Sequence, residues 1–184
     1  MTITRRPVPS AAALQPLEGL DPLVARLYAM RQVQRASDVD HVLANLQTYH
    51  GLLGIESAVD LLEETLNRNA RILVVGDFDA DGATSTAVAL RSLRMLGAKH
   101  VDYLVPNRFE FGYGLTPEIV DLAASRSPQL IITVDNGISS IEGVRRAHSL
   151  GIRVLITDHH LPGPTLPDAD AIVNPNQRGD NSAL

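Results

Sequence analysis

Asp77, Asp79 and Asp81 alternate along Asp77-Phe78-Asp79-Ala80-Asp81-Gly82, directly after the apolar run 72–76. A run of that kind reads as a buried parallel strand. Gly82 and the small residues after it permit a sharp turn into a helix. The acids therefore fall at the carboxyl end of a strand, where open α/β sheets place their ligands. Carboxylates this close repel one another unless a positive charge holds them, and one divalent ion or a pair meets that need. Two further strand ends carry similar groups. The run 130–134 leads into Asp135-Asn136-Gly137, and 154–157 leads into Asp158-His159-His160. Taken singly, each has a plain explanation: an acid capping the next helix, a solvated turn, or a surface histidine pair. On three strand ends of one sheet edge they point together to a metal site. Carboxylate oxygen and imidazole nitrogen suit Mn²⁺ or Mg²⁺. Two such ions a few ångströms apart would stabilise the attacking and leaving oxygens of a phosphoryl transfer.

Positioning these groups requires strands that alternate with helices. Apolar runs predict strands over 72–76, 101–105, 130–134, 154–157 and 171–173, with helices over 83–96, 117–125 and 140–150 between them. Gly97 and Gly151 stop the first and last of these helices. The fold class expected is α/β, a mostly parallel sheet with helices on both faces, over residues 71–184. Ahead of it, 1–20 is rich in Pro and Ala and reads as a flexible arm, and 21–70 reads as a small helical preface. Asp21-Pro22 opens its first helix, with Leu23, Val24, Leu27 and Met30 inward. Ser37 opens a second, with Val39, Val42, Leu43 and Leu46 inward. Ser57 opens a third, with Asp60 three residues on and Leu61, Leu62 and Leu66 inward.

Composition narrows the classes further. In 184 residues there is no Cys, which excludes a disulfide framework and any thiolate metal site. The hydrophobic fraction of 45% supports a core, and with only 4% aromatic residues and no Trp that core is aliphatic. The net charge of −5 argues against a broadly basic, non-specific nucleic-acid surface. Much of that charge lies in the strand-end acids, however, and bound metal would cancel part of it. No apolar stretch suits a signal peptide or a membrane span, so the expected setting is cytoplasmic, with no membrane partner.

The runs Asp77–Gly82, Asp135-Asn136-Gly137 and Asp158-His159-His160 resemble the first three motifs of the DHH phosphoesterase superfamily. Within it, the chain is most similar to the bacterial single-strand-specific 5′→3′ DNA exonucleases. The likeness includes residues 76–88, Asn107-Arg108 before Gly112-Tyr113-Gly114-Leu115, Thr133–Ser139, and Val173-Asn174-Pro175-Asn176-Gln177. The resemblance implies metal-dependent phosphodiester hydrolysis of single-stranded DNA in repair and recombination, with Mn²⁺ or Mg²⁺, two ions, as cofactor. It implies that Asp79 serves one ion and Asp81 the other, that Asp135 bridges them, and that His159 is a ligand. His160 would contact the scissile phosphate. Asp77 and Asp158 belong to or support the ligand set, with Asp158 orienting His159. Arg108 is expected to fork onto a phosphate and Tyr113 to stack on a base. Single-strand-binding protein and a helicase are the partners implied.

The same resemblance implies a further ligating Asp and a substrate-gripping domain downstream. Asp168, Asp170 and Asp180 are too near His160 to serve, so the chain reads as an amino-terminal part whose catalytic domain is incomplete. An alternative keeps the chemistry with another substrate, short oligonucleotides or cyclic dinucleotides. Two weaker readings are a non-catalytic DNA-binding relative, which the retained Asp79, Asp81, Asp135 and His159 disfavour, and a phosphatase with Asp77 as nucleophile, which would not need Asp158-His159-His160.

Overall fold

The computed structural model describes residues 7–40, 42–46, 48–180 and 182. They form two compact units, one within Met1–Gln47 and one within Thr48–Ala183.

In the first unit, residues 1–6 of the expected arm lie outside the described residues. Ser10 accepts from the Ala13 amide and caps helix α1 (Ala11–Leu14). A 3₁₀ turn, Gln15–Leu17, follows, and Leu17 is fully buried. This stretch is thus helical rather than a loose arm. Asp21 caps α2 (Pro22–Ala29) as the sequence predicts. Its buried side centres on Ala25, however, while Leu23, Val24 and Leu27 are exposed. The second expected helix does not form. Its described residues make the 3₁₀ turns Ala36–Val39 and Leu43–Asn45, and Val42, Leu43 and Leu46 are exposed. The Asp38 carboxylate turns back onto the Arg35 amide at 2.9 Å, closing a local i,i+3 turn. Leu43 and Leu46 are left exposed, so burial does not reward a longer helix.

The second unit is a five-stranded, wholly parallel sheet in the order β2-β1-β3-β4-β5. Its strands are β1 (Ile72–Val75), β2 (Val101–Leu104), β3 (Leu130–Val134), β4 (Arg153–Thr157) and β5 (Ala171–Val173). Helix α4 (Ala80–Met95) links β1 to β2, and α6 (Pro117–Ala124) links β2 to β3. Helix α7 (Ile141–Ser149) links β3 to β4. A one-turn helix, α5 (Arg108–Phe111), sits in the β2–α6 connection. Alternate residues of each strand face opposite layers. Leu73, Val75, Ile131, Val154 and Ile156 pack with Ile119, Val120 and Ala123 of α6 and Val144 and Ala147 of α7. Ile72, Val74, Leu130, Ile132 and Leu155 pack with Leu90 and Leu93 of α4 and Ala58 and Leu61 of α3 (Ile55–Asn67). The order reverses between β1 and β3, which opens the crevice that doubly wound sheets use for ligands.

Helix α3 was expected in the preface but is part of the sheet unit. It begins at Ile55, two residues before Ser57. Its cap is Gly54, at φ +83°, where a Cβ would lie 2.1 Å from the Ile172 carbonyl oxygen. Glu64 of α3 accepts from Arg153 of β4 at 2.6 Å, and Arg153 also donates to Thr65 Oγ1 at 3.1 Å.

Two outcomes follow for stability. Helix α7 crosses the loop before α6 at Gly143, where a Cβ would meet the Leu115 carbonyl oxygen at 1.8 Å. Alanine ordinarily exceeds glycine by about 1 kcal/mol in a helix interior. Here Gly143→Ala is expected to destabilise by about 1–3 kcal/mol, seen as a lowered thermal midpoint; a raised midpoint would refute the close crossing. The hydrogen bond from Arg153, and its charge, hold the Glu64 carboxyl below the usual range. A depressed acid pKa contributes stability above the ordinary glutamate range that is lost as pH falls through the lowered value. Wild type is therefore expected to exceed Glu64→Gln in stability at neutral pH, with the difference closing on acidification below about 4. A pH-independent difference in denaturant midpoints would count against the pair.

Candidate metal centre

The parallel register levels the strand ends. Val75 pairs with Leu104 on one side and Thr133 on the other, and Val134 pairs with Thr157. Each catalytic candidate then leaves the sheet within a few residues of the same line.

After β1, the largely buried Asp77 meets Arg108, and Asp79 caps α4, accepting from the Gly82 amide at 3.2 Å. The cap starts the helix at Ala80, three residues before the sequence-based expectation, so Asp81 stands in its first turn and is exposed. Helix and strand approach closely here. A Cβ on Gly82 would fall 2.6 Å from the Asp77 carbonyl oxygen, and one on Gly76 would fall 2.0 Å from Thr86 Oγ1. After β3, Asp135 adopts φ +62°, a left-handed conformation uncommon outside glycine. That turn swings its carboxylate into the crevice, where it is buried.

His159 Nε2 lies 2.8 Å from Asp135 Oδ1 and 3.7 Å from Asp81 Oδ2. One donor atom each from Asp77, Asp79 and Asp135 falls within a 4.8 Å cluster, and the same holds for Asp135, His159 and His160. Asp135 belongs to both groups. These oxygen and nitrogen donors fit hard or borderline divalent ions such as Mn²⁺ and Mg²⁺. The charges fit as well. Burial pushes the Asp135 carboxyl up from its ordinary value, the His159 hydrogen bond opposes that rise, and repulsion from Asp81 and Asp79 adds to it. The Gly82 amide, first among several contacts, holds Asp79 down. A cation between these acids would relieve the repulsion.

Asp158 stands apart. Its side chain is buried and its oxygens are already engaged: Oδ2 by the Ile138 amide at 2.9 Å, Oδ1 by the His159 amide at 2.7 Å and by His160 Nδ1 at 2.8 Å. It therefore orients His160 and not, as expected, the His159 ring, and it lies outside both donor clusters. The hydrogen bond to Asp158 raises the His160 pKa against the opposing effect of burial. Asp168, Asp170 and Asp180 also lie outside the clusters. Asp170 bonds His148 and the Val154 amide, and Asp180 accepts from the Leu53 amide.

Arg108 is ion-paired with Asp77, and its guanidinium lies 4.2 Å from the Phe78 ring centroid and 4.9 Å from that of Tyr113. It is thus aimed at the edge of the acid cluster rather than into solvent. The Tyr113 hydroxyl donates to the Asp135 carbonyl at 3.3 Å and lies 3.0 Å from His160 Nδ1 and 3.2 Å from Nε2. Burial and the nearby acids raise its pKa far above the usual phenol value, so it stays protonated.

Four contributors escape sequence reasoning. Phe78 supplies one face of the arginine sandwich. Asn136 is buried and its amide donates to the carbonyls of Val75 at 3.1 Å and Val134 at 2.9 Å, joining the ends of β1 and β3. Asn174 and Asn176 donate to the carbonyls of His160 and His159, at 3.0 and 2.5 Å. Only the asparagines left a signal, in Asp135-Asn136-Gly137 and Asn174-Pro175-Asn176, and it gave no partner.

The sheet and its edge define an α/β protein of the doubly wound class, with a carboxylate–imidazole site at the switch point. The chain belongs to the DHH family: residues 71–184 match the model of that family's N-terminal domain. It is 55% identical over 179 residues to the single-stranded-DNA-specific exonuclease RecJ of Escherichia coli strain K12, covering 97% of this chain and 31% of that protein. It is 40% identical over 164 residues to RecJ of Bacillus subtilis strain 168, covering 87% of this chain and 21% of the relative. Among solved structures, an exonuclease RecJ bound to manganese superposes with a TM-score of 0.64 at 42% identity, over 70% of this chain and 33% of that one. RecJ of Thermus thermophilus in complex with Mn²⁺ gives 0.64 at 34% identity, over 94% and 24%. The chain spans about a third of the length of the Escherichia coli relative.

The Asp158–His160 contact can be read directly. In the metal-free chain, His160 is expected to titrate above the ordinary histidine value of about 6.5, and Asp158→Asn should bring it down. Imidazole proton shifts followed by NMR across pH 5–9 test this; an unmoved His160 midpoint in the variant would remove Asp158 as the cause.

Proposed function

We propose that this chain carries the metal-binding part of a metal-dependent phosphodiesterase that degrades single-stranded DNA from its 5′ end. The observation that carries the reading is the convergence of Asp77, Asp79, Asp135, His159 and His160 at the switch point. The names of the relatives, single-stranded-DNA-specific exonucleases at 55% and 40% identity, supply the substrate class. Manganese in the similar solved structures supports the cofactor.

In this reading Asp77 and Asp79 would hold one ion and Asp81 and His159 the other, with Asp135 a donor available to either. When bound, the two ions supply an acidified water and neutralise charge on the reacting phosphate. The residues do the rest. Asp158 keeps the Nδ1–H of His160 engaged, leaving Nε2 toward the crevice beside the Tyr113 hydroxyl. His160 then steadies the phosphate or gives a proton to its leaving oxygen. Arg108, held by Asp77 between two rings, offers its remaining N–H groups to a neighbouring phosphate. Tyr113 stands at the same place, and a terminal base would stack on its ring. The buried aliphatic strands behind the acids keep water from that side. On the same reading the setting is the cytoplasm, with single-strand-binding protein and a helicase as partners. Among the described residues no helix is long and apolar enough to cross a membrane.

The test uses 5′- and 3′-labelled single strands with Mn²⁺, applied to this chain beside a protein of the relatives' full length. Early release of the 5′ label as mononucleotide is expected from the longer protein. Early release of the 3′ label, or equal attack on duplex, would sink the reading. Asp135→Asn and His159→Ala are each expected to lower turnover at least a hundredfold while the unliganded fold keeps its thermal midpoint within a few degrees. Near-normal turnover in either variant would remove that residue from the site.

A further inference from the structure

At the opposite edge of the sheet, where β1, β2 and β3 begin, lies an open cavity of about 280 Å³. Arg71, Lys99, His100 and Arg126 line it together with one carboxylate, Asp102, around a floor that includes Ile72, Val101 and Pro128. Arg126 is already occupied, donating to Asp102 at 2.8 Å and to the Tyr103 carbonyl at 2.7 Å. Among the described residues, the side chains of Arg71, Lys99 and His100 have no ion pair or hydrogen bond. Of the other arginines in this unit, Arg91, Arg94 and Arg178 share that state but do not line this cavity. Arg68, Arg108, Arg145, Arg146 and Arg153 each sit against a carboxylate. A chain of net charge −5 thus leaves two cations and an imidazole unpaired around one cavity.

The lining has two characters. Arginine presents a planar fork and lysine a point charge, a pairing suited to a phosphate. The floor is apolar, with Ile72 and Pro128 buried beneath the opening. Small-molecule sites typically combine an apolar surface with a few orienting polar groups, from roughly 300 Å³ upward. An anion with a flat apolar body matches both halves. A strand of four residues spans about 13 Å, so a ligand here does not touch the acids at the carboxyl edge.

We propose that this cavity binds a nucleoside phosphate, its phosphate on Arg71, Lys99 and His100 and its base against Ile72, Val101 and Pro128. The occupant is a free mononucleotide or one unit of a single strand. The site is separate from the candidate metal centre and does not depend on hydrolysis there.

The experiment is a titration of dAMP into the ¹⁵N-labelled chain without divalent metal, in an Arg108→Ala, His160→Ala background that removes the phosphate partners proposed at the other edge. Saturable amide shifts are expected at residues 99–102, 126, 127, 129 and 130. Lys99→Ala and Arg71→Ala should each weaken binding about tenfold, the worth of one charge-assisted hydrogen bond. Both side chains are exposed, and the amide spectrum itself reports whether the variants fold. Inorganic phosphate is expected to bind more weakly than dAMP; equal affinity would overturn the nucleoside assignment. Hexathymidylate competing at lower concentration than dAMP would identify the occupant as a strand unit, and weaker competition a free nucleotide. Absence of saturable shifts at these residues, or shifts unaffected by both substitutions, would overturn the site. Neither result bears on hydrolysis, so failure here leaves the exonuclease reading standing, and the converse holds.

Discussion

The arrangement at the carboxyl edge depends on the parallel pairing of β1 with β3. The two strands are consecutive in space but separated in sequence by α4, β2, α5 and α6, and their register brings Val75 level with Thr133. Asn136 joins the two ends directly, one amide group donating to a carbonyl on each strand. Side chains leaving these strands then start from a rigid line. A slip of one residue would turn every core side chain to the wrong layer, so the hydrophobic effect that buries β1 and β3 also fixes where the acids begin.

Electrostatics works against that convergence. Asp77, Asp79, Asp81 and Asp135 come together although like charges repel, and Asp135 does so while buried. The structure spreads the burden among different partners. Asp77 has Arg108, Asp79 has the first turn of α4, Asp135 has His159, and Asp158 is removed from the cluster to three amides and His160. The donor cluster and the carboxylate that orients His160 are thus divided between neighbouring residues of the same motif. Asp158 and His159 are adjacent in the chain, yet one faces inward to backbone amides and the other outward to the acids.

The two sheet edges have opposite character. Acids and imidazoles gather where the strands end, and unpaired cations gather where β1 and β2 begin. The net charge averages over both and describes neither. A parallel sheet makes such polarity natural, because every strand begins on one edge and ends on the other.

Much of this was legible in one dimension. The five strands, the three helices between them and the three acidic strand ends follow from apolar run length, glycine punctuation and the side on which polar groups follow each run. These signals are local and depend on a few consecutive residues. The helical segments before the sheet were read less well. Leu23, Leu43 and Leu46 have helical spacing, but periodicity says only that a face exists, not that anything covers it. Helix α3 belongs to the sheet because Gly54 lets its start press on Ile172 and because Glu64 meets Arg153, contacts made across long stretches of chain. The same limit applies at the site. Strand-end spacing named Asp77, Asp79, Asp81, Asp135, Asp158, His159 and His160, and the family resemblance added Arg108 and Tyr113. Which imidazole Asp158 holds, which acid Arg108 pairs with, and how Asn136 joins two strands depend on backbone dihedrals and side-chain directions that arise only once the sheet is packed.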